Sequence, residues 1–255
     1  MLRITDARTG ETVDATPARR SLTRVEVHAP AAGLPALRVL LVADTLVRAL
    51  ELGGTPVWAM LSGGDGVAEL RAAAATLGIR PFEDARGLAA ALGEAQTVHV
   101  TAGNGQVPDR GVVLAVAPVV AEEPGAGDAV SGQVLPEPLD DPAALRLALL
   151  AVPRDTPVRL GGDMLDEAGR TLARWRRAVA TWSRQPSRPV PEEVRGRLRA
   201  AWEDDLDLPE VLRVLHTVET ATGQADLPDG ARFETYAYID RLLGLDLVRD
   251  LGTLA

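Results

Sequence analysis

The stretch "VEVHAPAAGLPALRVLLVADTLVRALELGG", residues 25–54, decides the fold. It opens with alternating apolar and polar residues, which predicts a strand, and then passes through a turn rich in Ala, Gly and Pro. A helix is predicted over residues 35–52, with Pro35 in its first turn and Gly53 after its end. "TPVWAML", residues 55–61, predicts the next strand. A strand, a helix and a strand in this order predict a parallel sheet.

Two further segments extend this α/β pattern. "TVHVTAGNG", residues 97–105, predicts a strand that ends in a glycine loop, and "RGVVLAVAPVV", residues 110–120, predicts a fifth strand. The chain start, "LRITDARTGETV", predicts a short strand followed by a turn at Thr9 and Gly10. Residues 67–77 and 84–93 are rich in Ala, with Leu at helical spacing, and predict helices on the α/β part of the chain.

The sequence pattern in the second half of the chain predicts helices. Residues 122–139 are rich in Gly, Pro and acidic residues, and we interpret them as a long loop at a domain joint. The expected division is therefore an α/β domain over 1–139 and a helical bundle over 140–255. Asp141 and Asp163 are predicted to be the N-caps of the bundle's first two helices.

Composition excludes several classes of site. The chain of 255 residues contains no Cys. It also contains no Lys, so that all 27 Lys and Arg positions are Arg, and it has three His. Disulfides, thiolate metal ligands and lysine nucleophiles are therefore excluded. The net charge of −9 argues against nucleic-acid binding. No apolar run is long enough to span a bilayer and no secretory signal is visible at residue 1, so we expect a cytoplasmic protein without membrane contact.

Several segments together resemble one family. "LRITDARTGETV", "LRVLLVADTLVRALELGG" with Arg38 and Asp44, "TVHVTAGNG", "DDPAALRLALL" and "WEDDLDLPEVLRVL" occur in the order of matching segments in cysteinyl-tRNA synthetases and the related actinobacterial cysteine–glucosaminyl-inositol ligases. The resemblance implies a Rossmann-like class I synthetase core with a parallel sheet, followed by an α-helical bundle.

The resemblance also implies a nucleotide cleft that has lost its ligands. The family's His-Ile-Gly-His motif falls on residues 33–36, Gly-Leu-Pro-Ala, and its Lys-Met-Ser-Lys-Ser motif falls near residues 128–132, which contain no cation. We expect a vestigial cleft and no bound cofactor. Its residues would be Gly33, Arg38, Asp44, Gly103, Asn104 and Gly105.

The family's zinc ligands, two Cys, one His and one Glu, are also largely missing. The first Cys falls on His28, the second falls in a segment deleted between about residues 62 and 97, and the His and Glu fall near residues 109–111. Because one or two ligands do not hold zinc, we expect no metal.

The remaining candidates have two interpretations each. His28 is either a vestigial metal ligand or, as we expect, a strand-end histidine that faces a shallow cleft. We expect His99 to be structural and His216 to lie in packing or at the surface. The glycine loops at 63–66 and 103–105 match no phosphate-binding fingerprint and are either bare turns or a retained small-molecule site. Arg174, Arg176 and Arg177 are interpreted as a solvated helix face, and the alternative is a contact with an acidic partner.

Two functions follow from these observations. The first is a synthetase-like paralogue without adenylation activity, with no catalytic residue, that binds a protein or regulates an active enzyme. The alternative is an active ligase or transferase that acts on a small amino compound. Possible partners are another protein, a second copy joined at an open sheet edge, or a small molecule; tRNA is not expected, because the anticodon-binding extension is not present in these 255 residues.

Overall fold

A five-stranded parallel sheet forms the α/β half of the protein. The computed structural model describes residues 1–18, 21–62, 66–84, 96–103, 105, 108–121, 139–221 and 227–252. The strands lie in the spatial order β5-β4-β3-β6-β7, and every pairing is parallel. Their bounds are β3 Thr23–His28, β4 Val57–Ser62, β5 Glu83–Asp84, β6 Gln96–Ala102 and β7 Val112–Val116.

The strand order is that of a Rossmann-like half. The chain runs outward from β3 through β4 to β5, then returns to the other side of β3 for β6 and β7. The order therefore reverses between β3 and β6, and open parallel sheets bind ligands beyond the carboxyl ends of the strands at such a point. The predicted α/β class with a parallel sheet is confirmed.

Short strands lie outside this sheet. β1 (Arg3–Thr5) and β2 (Thr12–Asp14) form an antiparallel hairpin around the predicted turn at Thr9 and Gly10. β8 (Val119–Ala121) pairs in parallel with β9 (Val158–Leu160). The predicted fifth strand, residues 110–120, is therefore wrong as a single element: it is divided between β7 and the start of β8 at Ala117 and Pro118, since proline cannot donate to a ladder.

Helix α1 (Leu34–Leu52) lies at the centre of the molecule. Fourteen of its 19 residues are buried, as expected for a helix that is apolar on nearly all sides. It packs on β3, β4, β6 and β7 with one side and on α2 (Val67–Thr76) and α7 (Asp229–Leu243) with others. Pro35 lies in its first turn, as predicted, and Gly33 is its N-cap.

From residue 139 onward, the regular elements of the described chain are helices, apart from β9. The helices are α3 Pro142–Leu150, α4 Gly162–Trp182, α5 Glu192–Glu203, α6 Leu208–Thr220 and α7. Asp141 caps α3, and its side chain accepts a hydrogen bond from the Ala143 N–H. The predicted cap at Asp163 is wrong: Gly161 is the N-cap of α4, and Asp163 lies in the first turn, where an acid still favours the helix dipole. None of the described helices combines the length and apolarity that crossing a bilayer requires.

Two further expectations concern the helices. The helix predicted over 84–93 lies almost wholly outside the described residues, and Asp84 itself belongs to β5. The solvated arginine face is wrong for Arg176, which is 3% exposed. Arg176 pairs with Asp141 and donates hydrogen bonds to the carbonyl oxygens of Leu245 and Asp246. The apolar core extends through α1 from the sheet into these helices, and the division into domains at residue 139 stays a prediction.

A buried carboxylate joins α1 to the helical part. Asp44 Oδ2 accepts from Arg146 Nη2 of α3 at 2.7 Å and from Arg48 Nε at 2.8 Å, and Oδ1 accepts from Arg80 Nε at 3.1 Å. The side chains of Asp44 and Arg146 are both fully buried. Burial alone would raise the pKa of Asp44, but the charges of Arg146 and Arg48 and the hydrogen bonds from Arg146 and Arg80 outweigh burial and lower that pKa.

We expect Asp44→Asn to destabilise the fold by about 3–5 kcal/mol, because Arg146 then remains buried without a negative partner. Urea unfolding followed by circular dichroism measures this loss. The matched control is Asp84→Asn, which removes an ion pair with Arg71 whose carboxylate side chain is 76% exposed; it should cost less than about 1 kcal/mol. Equal losses in the two variants would contradict the central role of Asp44.

The Asp44 contribution should also depend on pH. Its folded-state pKa is lowered, so between the folded and unfolded values the unfolded chain binds more protons. The stabilisation is therefore complete above the unfolded value of about 3.9 and is lost as pH falls through the lower, folded value. We expect the difference in unfolding free energy between wild type and Asp44→Asn to be constant from pH 7 to 5 and to shrink below about pH 4. A difference that grows on acidification would refute this.

Candidate functional site

The glycines of the predicted cleft lie at the carboxyl edge of β3 and β6. Gly33 precedes α1, and Gly103 follows β6. The N–H of Gly103 donates to the Val116 carbonyl oxygen, and the N–H of Gly105 donates to the Ala102 carbonyl oxygen, both at 2.8 Å. These two N–H groups bond to the protein's own backbone, and a small-molecule role for this loop stays a prediction.

The two charged residues assigned to the cleft are buried and bond to other groups of the protein. Arg38 is 1% exposed, and its Nη1 donates to the carbonyl oxygens of Ala117 and Thr156 at 2.8 Å, while its Nη2 donates to that of Pro153 at 2.8 Å. Burial lowers the pKa of Arg38 to about 10. Asp44, also 1% exposed, is held by its arginines as described above. Neither side chain is open to a nucleotide.

The remaining cleft candidates lie outside the described residues. These are Asn104, the loop residues 63–65 and the segment 128–132. Gly103 lines a cavity of about 440 Å³ together with Pro118, Arg154 and Asp155. Arg154, the cation at this cavity, pairs with Asp205 and donates to the Ala115 carbonyl oxygen.

The two faces of the sheet differ sharply. Along β3, Val25 and Val27 are fully buried and belong to the core that contains α1. The alternate residues Arg24, Glu26 and His28 therefore point to the opposite face. In the register between β3 and β6, Glu26 pairs with His99, so His99 projects from this second face as well.

Three potential metal ligands meet on the second face. His28 Nε2 lies 3.0 Å from His99 Nδ1. Glu26 Oε2 lies 3.4 Å from His99 Nδ1 and 4.0 Å from His28 Nε2. Among the described residues these form the one group of three or more His and acidic residues whose donor atoms lie within 4.8 Å of one another. We call Glu26, His28 and His99 the β3–β6 cluster; it lies where the strand order reverses.

Neighbouring groups orient the β3–β6 cluster. Arg24 Nε contacts Glu26 Oε1 at 3.1 Å, which leaves Oε2 facing the imidazoles. The backbone of Arg110 hydrogen-bonds the His99 ring. Gly111, with φ of +84°, brings the chain so close that a Cβ there would lie 3.1 Å from His99 Nε2 and 2.7 Å from the Thr97 carbonyl oxygen. The position therefore requires glycine both for its φ and for space.

Burial favours the neutral form of both imidazoles. It lowers the pKa of His28 and of His99, and the charge of Glu26, which acts in the opposite direction, does not compensate. A neutral imidazole carries a lone pair on one nitrogen and can accept a proton or bind a metal ion there.

A large polar cavity opens beside the β3–β6 cluster. Its volume is about 1030 Å³, and Glu26 and His99 are part of its wall. The cavity also exposes charged groups of both signs, from Asp6, Arg8, Asp14, Arg24 and Arg110. A cavity of this size and polarity suits a small polar molecule.

Sequence reasoning missed Glu26 and discounted His99 as a ligand. The alternation in "RVEVH" places Glu26 and His28 on one face, but nothing in the sequence gives the register that sets His99 beside them. Three candidate ligands are therefore present where one or two were expected.

We expect Gly111→Ala to displace His99 and to destabilise the protein more than Gly10→Ala does. Both glycines have positive φ, but nothing lies within 4 Å of a Cβ at Gly10. Backbone strain of about 1–2 kcal/mol applies to both, and overpacking adds roughly 1–3 kcal/mol at Gly111 alone. Urea unfolding and the NMR resonances of the His99 ring provide the measurements. Equal losses with an unmoved His99 resonance would contradict this role for Gly111.

Comparison with known proteins shows partial similarity to one group of enzymes. The chain is 38% identical over 108 residues to the L-cysteine:1D-myo-inositol 2-amino-2-deoxy-alpha-D-glucopyranoside ligase of Streptosporangium roseum. The matched segment covers 42% of this chain and 26% of the ligase. The ligases of that name from Parafrankia sp. and Streptomyces griseus are each 37% identical, over 113 and 110 residues. No family model matches the chain.

The extent of this similarity is limited. The matched part of the chain spans about a quarter of the length of these curated relatives. Within that part the identity is high enough to confirm the resemblance predicted from the sequence. Over two fifths of its length the chain is therefore similar to actinobacterial cysteine:inositol-glucosaminide ligases.

Proposed function

We propose that the protein is a synthetase-like binding or regulatory paralogue that does not form adenylates. The observation that carries this proposal is the state of the loop before α1. Residues 29–36, "APAAGLPA", contain no side chain that can hold a phosphate, and Pro35 removes one N–H from the first turn of the helix.

The nearby cations support the same conclusion. Arg38 donates to backbone carbonyl oxygens, and Arg154 pairs with Asp205. Both guanidinium groups are therefore already bonded within the protein and are not directed at a phosphate. Adenylate formation develops negative charge on the transferring phosphates, and each lost donor or cation costs on the order of 10²–10³ in rate. A site without these groups should therefore bind a ligand or a partner rather than activate an amino acid.

The second candidate is a ligase or transferase that acts on a small amino compound. The cavity of about 1030 Å³ favours it, since its wall carries both carboxylates and guanidinium groups, which would pair with oppositely charged groups of a small ionised ligand. This candidate predicts that ATP or an aminoacyl-adenylate analogue raises the melting temperature.

A protein partner also belongs to this proposal. The outer edge of β4 is covered by β5 only at Met60 and Leu61, and exposed strand edges can pair with another chain. A homodimer or a protein complex at this edge stays a prediction, and light scattering of the purified chain gives its mass in solution.

We expect no ATP–pyrophosphate exchange above background with cysteine or any other standard amino acid. The Streptosporangium roseum ligase, assayed in parallel, is the positive control, and the expected deficit is on the order of 10⁴-fold or more. Thermal melts with ATP and magnesium test binding in the same samples. An absent exchange with an unchanged melting temperature fits the first candidate, whereas a shift of several degrees supports the second.

A variant shows whether any exchange belongs to this chain. Ala31 is exposed in the loop before α1, so Ala31→Glu would place a carboxylate beside a bound triphosphate and repel it. Exchange that Ala31→Glu abolishes would overturn the proposed lack of adenylation. Exchange that persists unchanged in this variant comes from a contaminating synthetase.

A further inference from the structure

The spacing of the β3–β6 cluster suits a metal ion. The three separations, 3.0, 3.4 and 4.0 Å, define a triangle, and a point equidistant from its corners lies about 2 Å from each donor atom. Zinc bonds to nitrogen and carboxylate oxygen measure about 2.0–2.2 Å. An ion near this point can therefore contact all three atoms with little movement of the side chains.

The surroundings of the ligands resemble an outer shell of a metal site. A ligating imidazole usually donates its other N–H to a backbone carbonyl or carboxylate. His99 meets this condition, because its Nδ1 faces His28 and Glu26 while its Nε2 side faces Gly111 and the ring bonds the backbone of Arg110. Arg24 similarly fixes one oxygen of Glu26 and directs the other inward.

The donor set differs from the one that the family resemblance implies. With no cysteine in the chain, the two-Cys zinc set cannot form. His28 falls on one of the family's ligand positions, whereas Glu26 and His99 fall on none of those quoted for the resemblance. Two imidazoles and one carboxylate form a harder set that suits Zn²⁺, Co²⁺ or Ni²⁺.

We propose that Glu26, His28 and His99 together bind one divalent transition-metal ion of the zinc class at the reversal point of the sheet. Three protein ligands leave a fourth coordination position, and Glu26 and His99 also form part of the wall of the cavity of about 1030 Å³. Water, or an oxygen or nitrogen atom of a small polar ligand in the cavity, occupies this position. The site does not depend on nucleotide binding and stands whether or not adenylation is lost.

Titration of tag-free, chelator-treated full chain with Zn²⁺ in a calorimeter tests the proposal. The expected result is one equivalent of Zn²⁺ per chain. Substitution by Co²⁺ should give the visible absorption bands of a tetrahedral ion, which report the geometry without any activity assay. Absence of saturable binding by the wild-type chain would overturn the proposal.

Matched variants locate the ion. His28→Ala and Glu26→Gln change half-buried side chains and should each weaken Zn²⁺ binding by more than the roughly 10–100-fold seen when an outer-shell partner is lost. The control is His216→Ala, which removes the remaining histidine, an exposed residue near Glu219 on α6. It should leave affinity and stoichiometry unchanged.

The variants also define failure. Binding that survives both His28→Ala and Glu26→Gln, or that disappears in His216→Ala, refutes the proposed ligands. Thermal melts of each metal-free variant separate loss of a ligand from loss of the fold. If one cluster variant does not fold, the other variant and the wild-type Co²⁺ spectrum still decide the outcome.

Discussion

The carboxylate of Asp44 is the constraint on which the architecture depends. A fully buried charge is tolerated only when opposite charges and hydrogen bonds surround it, and here Arg146, Arg48 and Arg80 do so. Arg146 also donates to the carbonyl oxygens of Leu77 and Leu243. The ends of α2 and α7 are therefore held at the same point as α1 and α3.

A buried arginine, Arg38, has a similar effect near the N-terminal end of α1. Arg38 has no carboxylate among its hydrogen-bond partners and instead contacts carbonyl oxygens of the turns that follow β7 and α3. A planar guanidinium can bind several such oxygens at fixed angles. The residues that the resemblance assigns to a nucleotide cleft, Arg38 and Asp44, thus stabilise the joint between the two halves of the chain. These contacts give Arg38 and Asp44 a structural role that needs no nucleotide.

The sequence predicted the elements better than the contacts between them. The strand, turn and helix of residues 25–54 and the cap at Asp141 depend on local backbone preferences, and local patterns reveal those. The burial of Arg176 and the partners of Arg38 depend on segments that are distant in sequence. The β3–β6 cluster likewise depends on the register of two parallel strands, which no periodicity specifies.

The two faces of the sheet carry different kinds of side chain. The face with Val25 and Val27 packs on α1 and provides the core, so substitutions there are costly. The opposite face carries Glu26, His28 and His99 on strands whose positions the core already fixes. Because these side chains lie on the strands and not on the loop before α1, their geometry does not depend on which side chains that loop carries. The sheet can therefore carry the proposed metal site whether or not a nucleotide binds beyond its carboxyl edge.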